Sequence, residues 1–199
     1  FDAMVHGKVD TERLAFAVVM TDVEALNRLA FRHDIQITKL SYHAFAHVAA
    51  NYSLLHAGSA LGHKNGPLVI GLPPLPAEFP DDATVAIPGK YTTANLLFSI
   101  FYPGITRKRE MLFSEIESAL LNKQADAGVI IHENRFTYEG KGLAKISDLG
   151  ELWEAATALP IPLGGIAADK KLPLEVRQKI DRVMKRSVLY ALAHPASSA

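Results

Sequence analysis

Asp126-Ala127-Gly128-Val129-Ile130-Ile131-His132-Glu133-Asn134-Arg135 changes character once, between Ile131 and His132. Residues 126–131 predict a short strand that is apolar on both faces, and such a strand has to be covered from both sides. That requirement selects an α/β fold, with helices layered on largely parallel sheets. Upstream, Phe113–Asn122 predicts an amphipathic helix with Ile116, Leu120 and Leu121 on one face. Before it, Thr84–Ile87 reads as a strand, Pro88-Gly89 as a turn, and Thr92 or Thr93 as the cap of a helix running to Phe101. Downstream come a helix over Asp148–Ala158 with the single Trp153 and an apolar strand over Ile161–Ala168. A long closing helix over Leu174–His194 follows, with Pro173 near its start and Pro195 beyond its end.

The same alternation fills the first part of the chain. Phe1–His6 reads as helix ending at Gly7, Leu14–Met20 (LAFAVVM) as a strand, and Asp22 as the cap of a helix carrying Val23, Leu26 and Leu29. Ile35–Leu40 predicts a strand, Ser41 the start of a helix through Asn51, and Tyr52–His56 and Gly66–Gly71 two further strands. Leu72–Asp82 (LPPLPAEFPDD) carries Pro73, Pro74, Pro76 and Pro80, so it predicts a stiff, non-helical crossing between two lobes. The expected division is residues 1–76 with 165–199 as one lobe and 77–164 as the other.

Composition narrows the chemistry. The 199 residues are 49% hydrophobic and 21% charged, the balance of a globular chain able to bury a true core. Lys+Arg and Asp+Glu stand at 21 each, leaving no electrostatic footprint for nucleic acid or an anionic membrane surface. With no Cys, disulfides, zinc knuckles and thiol catalysis drop out for this stretch. No apolar run approaches the roughly 20 residues of a membrane helix. A small molecule remains as the expected partner.

In open α/β sheets ligands bind beyond the carboxyl ends of strands, often at helix N-termini. Three segments meet that rule. Thr38-Lys39-Leu40-Ser41 ends a strand at a cation and a hydroxyl; it is either an ordinary Ser N-cap or a ligand contact. Pro88 to Asn95 places a glycine and a Thr pair at a helix start, again a cap or a binding turn. His132, at the end of the buried strand, suits a general base, with a satisfied structural histidine as the alternative; Glu133 is a candidate to orient its ring. His43 and His47 have metal-ligand spacing, but no Glu follows the first His, and packing or polar bonding is the favoured reading. Gly62 to Gly66 lacks the residues of a phosphate loop.

Beyond these patterns, the chain resembles one family in order along its length. The segments are Asp22 to Arg28, Thr38-Lys39-Leu40-Ser41-Tyr42, Ala60-Leu61-Gly62 with Gly66-Pro67-Leu68, and Ile87-Pro88-Gly89 with Thr92-Thr93-Ala94. Asp126-Ala127-Gly128 through Tyr138 and Leu159-Pro160-Ile161-Pro162-Leu163-Gly164-Gly165 continue the series and are its most specific part. The family is that of 1,4-dihydroxy-6-naphthoate synthases, of the futalosine route to menaquinone. The resemblance implies a two-lobed fold like type II periplasmic binding proteins, with an interlobe cleft, and the proline clusters place the expected hinge pivots near Leu72–Asp82 and Leu159–Ile166. It implies a cytoplasmic lyase, without cofactor or metal, that converts cyclic dehypoxanthinyl futalosine to 1,4-dihydroxy-6-naphthoate and dihydroxyacetone. The implied base is His132, and the implied substrate contacts are Lys39, Leu40, Ser41, Thr93 and Ala94, with Asn27 as a further pocket residue. The family also carries a Ser-Pro-Cys-Pro-Asn-Asp-Thr-Phe segment before the position of Phe1 and more helix after that of Ala199, so this chain reads as trimmed. The rival readings are a solute-binding protein for a small carboxylic acid and the sister enzyme chorismate dehydratase. The His132 segment favours the synthase.

Overall fold

The structure, a computed structural model, describes residues 2–63, 65–80 and 82–197, with Glu133 described through its backbone alone. In chain order, α1 (Asp2–Val5), α2 (Val23–Arg32), β1 (Ile37–Ser41), α3 (Tyr42–Val48), β2 (Tyr52–Leu54), β3 (Ala60–Gly62), β4 (Leu68–Gly71) and β5 (Val85–Ile87) form the first half. Then follow α4 (Thr93–Phe101), β6 (Lys108–Glu110), α5 (Ile116–Leu121), β7 (Ala127–Ile130), β8 (Ala144–Asp148), α6 (Leu149–Thr157), β9 (Ile161–Asp169) and α7 (Leu174–Ala193). The chain packs as two compact units, Phe1–Ala60 with Gly164–Ala199, and Leu61–Leu163.

The first crossing therefore falls after Ala60 and not after residue 76. The reason is pairing: β4 bonds to both β7 and β8, which draws residues 68–71 into the second unit. The proline segment 72–82 is thus a connection inside that unit, from β4 to β5. The return crossing lies within β9, between Leu163 and Gly164.

In the first unit β9 is the central strand, with β1 and β2 antiparallel on its two sides. α7 buries Ile180, Val183, Met184 and Ser187, an i, i+3, i+4, i+7 stripe, and Ile180, Val183 and Met184 pack with Met4, Leu55, Ile166 and Ala168. Leu14–Met20 does not form the expected strand. Leu14 and Phe16 pack against this core, but Val18, Val19 and Met20 are exposed, and among the described residues no strand pairs with the segment to satisfy its backbone.

The second unit has the strand order β6-β5-β7-β4-β8. All four residues of β7 are buried, as a strand apolar on both faces requires. Alternate side chains feed two separate cores. Val69, Val85, Ile87 and Val129 pack with Leu97 and Phe98 of α4 and Leu149 of α6. Ile70, Ala86 and Ile130 pack with Ile116 and Leu120 of α5. The helical cover is as expected, but the sheets are not largely parallel. β5 pairs in parallel with β6 and β7, whereas β4 runs antiparallel to β7 and β8. Parallel neighbours need a crossover, and helices supply it here: α4 joins β5 to β6, and α4 and α5 lie on the path from β5 to β7. Strands β6 and β8 escape sequence patterning because charged residues such as Lys108, Arg109, Glu110 and Lys145 interrupt it.

Candidate functional site

In the first unit, Asp22 caps α2 by accepting from the N–H groups of Glu24 and Ala25 at 3.0 and 3.1 Å, which fixes where the helix begins. That start turns Asn27 inward, fully buried. Its amide Nδ2 donates to Glu24 Oε2 at 3.2 Å and to Ser41 Oγ at 3.4 Å, while its Oδ1 accepts the Ser41 backbone N–H at 3.2 Å. Ser41 does stand at the N-cap of α3, but its hydroxyl makes no capping bond and turns to Asn27. Leu40 is buried and Lys39 exposed, as alternation along β1 demands. Opposite them in β9, a Cβ on Gly164 would lie 2.5 Å from the Leu40 carbonyl oxygen, so the pairing of Ser41 with Gly164 needs glycine there. The His43 and His47 rings lie tilted against each other at 5.3 Å between centroids, with Phe31 edge-on to His47 at 6.2 Å.

In the second unit, Thr92 is the residue that caps α4. Its Oγ1 accepts the Asn95 N–H at 3.2 Å and donates to the Gly89 carbonyl at 2.8 Å. Gly89 has φ 148°, a region that L side chains avoid, which explains a glycine in this turn. Thr93 opens the helix, and its hydroxyl donates to the Leu163 carbonyl at 2.9 Å, leaving its lone pairs to accept. Ala94 has its methyl in the core, so it can offer a ligand only its first-turn N–H.

His132 follows directly on the buried β7 and Ile131. It has φ 56°, a left-handed backbone unusual for histidine, and opens a 3-10 turn, His132–Phe136. Its ring is exposed rather than desolvated, with Phe113 edge-on at 5.3 Å between centroids. The side chain of Glu133, expected to orient that ring, lies outside the described residues.

The turn is held from beneath. Asn134 Nδ2 donates to Glu117 Oε2 at 2.6 Å, with both residues buried. Arg135 donates to the Gly66 carbonyl and, at 2.6 Å, to Asp148 Oδ2, whose other oxygen caps α6 at Gly150 and Glu151. Sequence reasoning missed Glu117 and Asp148 as parts of the site. The signal for Glu117 was a carboxylate at i+4 from Phe113 and i−3 from Leu120, on the apolar stripe of its helix.

The profile of the menaquinone-biosynthesis family matches residues 1–199. A curated relative from Thermus thermophilus, named 1,4-dihydroxy-6-naphthoate synthase, is 43% identical over 195 residues, spanning 98% of this chain and 70% of its own. This chain belongs to the menaquinone-biosynthesis family. A crystal structure of a protein from Archaeoglobus fulgidus, 39% identical, superposes with TM-score 0.87 over 97% of this chain and 71% of that one. The family fold is type II periplasmic-binding-protein-like. The ligand-binding component of an ABC-type import system from Staphylococcus aureus, 13% identical, still superposes with TM-score 0.63 over 92% of this chain and 66% of that one. Among the described residues of this family member, no helix is long and apolar enough to cross a membrane.

Proposed function

We propose that this chain is a cytoplasmic lyase acting on cyclic dehypoxanthinyl futalosine, releasing 1,4-dihydroxy-6-naphthoate and dihydroxyacetone, with His132 as general base. The observation that carries the reading is the exposed His132 on a left-handed turn at the end of β7, anchored through Asn134 and Arg135. A base has to reach solvent-borne substrate while its backbone stays fixed, and this arrangement supports both.

The substrate's atoms divide between the two products without water or a co-reactant. Neutral His132 takes a proton, the C–C bond to the three-carbon unit breaks as the naphthoate becomes aromatic, and the imidazolium returns the proton as dihydroxyacetone is released. The substrate carboxylate suits the first turn of α4, where the N–H groups of Thr93 and Ala94 and the positive helix end favour an anion. Lys39 adds a cation, Leu40 its main chain and Ser41 a hydroxyl. Asn27, fully buried, acts by holding Ser41 in place.

Incubating the full-length protein with cyclic dehypoxanthinyl futalosine and following both products by mass spectrometry tests the reading. Equimolar naphthoate and dihydroxyacetone are expected. Folded protein that yields neither, yet binds small carboxylic acids in calorimetry, would instead be a solute-binding protein.

A further inference from the structure

We propose that Glu117 is a positioning residue for the reaction, acting through Asn134 to hold the turn that presents His132; the proposal rests on His132 being the base. Three observations carry it. First, Glu117 is buried at 2% exposure on α5, whose Ile116 and Leu120 pack against a face of the sheet lined by Ile70, Ala86 and Ile130. A carboxylate in such a place costs stability unless it is paired and hydrogen-bonded, so packing alone does not account for it. Second, its bonding is lopsided. Oε2 accepts both Asn134 Nδ2 and Lys141 Nζ, each at 2.6 Å, while Oε1 has no hydrogen-bond partner among the described residues. Glu117 thus ties together the two ends of one loop, residues 134–141, immediately after His132.

Third, the tether meets the backbone where it is strained. A β-carbon-bearing residue at φ 56° persists only when its surroundings over-determine it. Ile131 is extended at φ −134° and His132 is left-handed, so the chain turns sharply between the sheet and Asn134. Asn134 closes that turn twice over. Its carbonyl accepts the N–H groups of Thr137 and Tyr138 at 3.2 and 3.3 Å, and its side chain is pinned to Glu117. Arg135 anchors the next position to Asp148. Of these anchors, Glu117 is the one that reaches the turn from a helix on the opposite side of the sheet from α4.

A misplacement of about 1 Å at a catalytic group costs on the order of a hundredfold in rate. Glu117→Ala and Asn134→Ala, which cut the same bond from its two sides, are therefore each expected to lower kcat by roughly tenfold to a hundredfold. KM should stay within about twofold, since substrate binding is not touched. Glu117→Gln keeps an acceptor for Asn134 and should recover most of the loss. Adding Glu117→Ala to His132→Ala should cost nothing further, because the tether works only through that ring. The imidazole resonances of His132 should shift in both alanine variants, a readout independent of turnover. Unchanged kcat and unshifted His132 resonances in either variant, with its fold confirmed by circular dichroism, would overturn the proposal. Parental turnover by His132→Ala would instead remove the base assignment, and the resonance shift would still decide whether Glu117 holds the ring.

Discussion

Asn27 and Ser41 exchange two hydrogen bonds, Ser41 N–H to Asn27 Oδ1 at 3.2 Å and Asn27 Nδ2 to Ser41 Oγ at 3.4 Å. The same Nδ2 reaches Glu24 Oε2, so one buried amide joins α2 to the end of β1. Asn27→Ala would leave the buried Ser41 N–H without its acceptor. Such a group costs about 1–3 kcal/mol. Chemical denaturation should show that loss, and kcat/KM should fall because Ser41 is no longer held. Full stability in Asn27→Ala would mean that water replaces the amide without cost.

The close approach at Gly164 yields a second expectation. A methyl there would lie 2.5 Å from the Leu40 carbonyl oxygen, and that oxygen is backbone, unable to swing aside. Overpacking of this kind typically costs about 1–3 kcal/mol. Gly164→Ala should lower the melting temperature and displace β1, whereas Ala at Gly140, whose Cβ would meet nothing within 4 Å, should be tolerated. Equal melting temperatures for the two variants would refute the argument.

A third expectation concerns acid. Glu12 is gripped by Arg182 through two hydrogen bonds and by Arg186 through another, tying its loop to α7. Arg182 foremost, and Arg186 with it, hold the carboxyl at about 2 against an ordinary 4.5, overcoming the opposing effect of burial. Because the folded value is the lower one, this group stabilises the fold above pH 4.5 and stops doing so as pH falls toward 2. The melting-temperature gap between the parent and Glu12→Gln should therefore be full at pH 7 and shrink across that window. A gap that does not change with pH would assign the effect of the substitution to something other than charge.

The sequence is informative where local chemistry decides and silent where distant pairing does. β7 was legible because a strand buried on both faces has no polar residue to hide, and the α4 start was legible because a Thr at a helix N-terminus can accept a first-turn N–H, as Thr92 Oγ1 does from Asn95. The unit boundary was not. Residues 61–76 belong with the second unit because β4 pairs with β7 and β8, strands far along the chain, and prolines at 73, 74, 76 and 80 mark only stiffness. Leu14–Met20 failed for the same reason, as a strand composition without a partner strand. At the site, His132 stood out by its place after an apolar run. Its supports Glu117 and Asp148 are contacts across the fold, and only the misplaced charge of Glu117 hinted at them.

The last expectation bears on His132 itself. The ring is exposed at the end of a fixed strand, so truncating it opens no cavity in the core, and His132→Ala should fold with nearly parental stability. A positioned general base contributes typically about 10²–10⁴-fold, and turnover of cyclic dehypoxanthinyl futalosine should fall by that much. Exposure also separates this residue from a structural histidine, whose loss would lower stability first and activity only in consequence. His43→Ala and His47→Ala serve as controls: their rings pack against each other and Phe31, so they should alter stability slightly and leave the chemical step intact. Measured at saturating substrate, turnover by His132→Ala within about threefold of the parent would take the base role away from His132. Proton abstraction would then pass to another group, of which Lys39, exposed at the middle of β1, is the first to test.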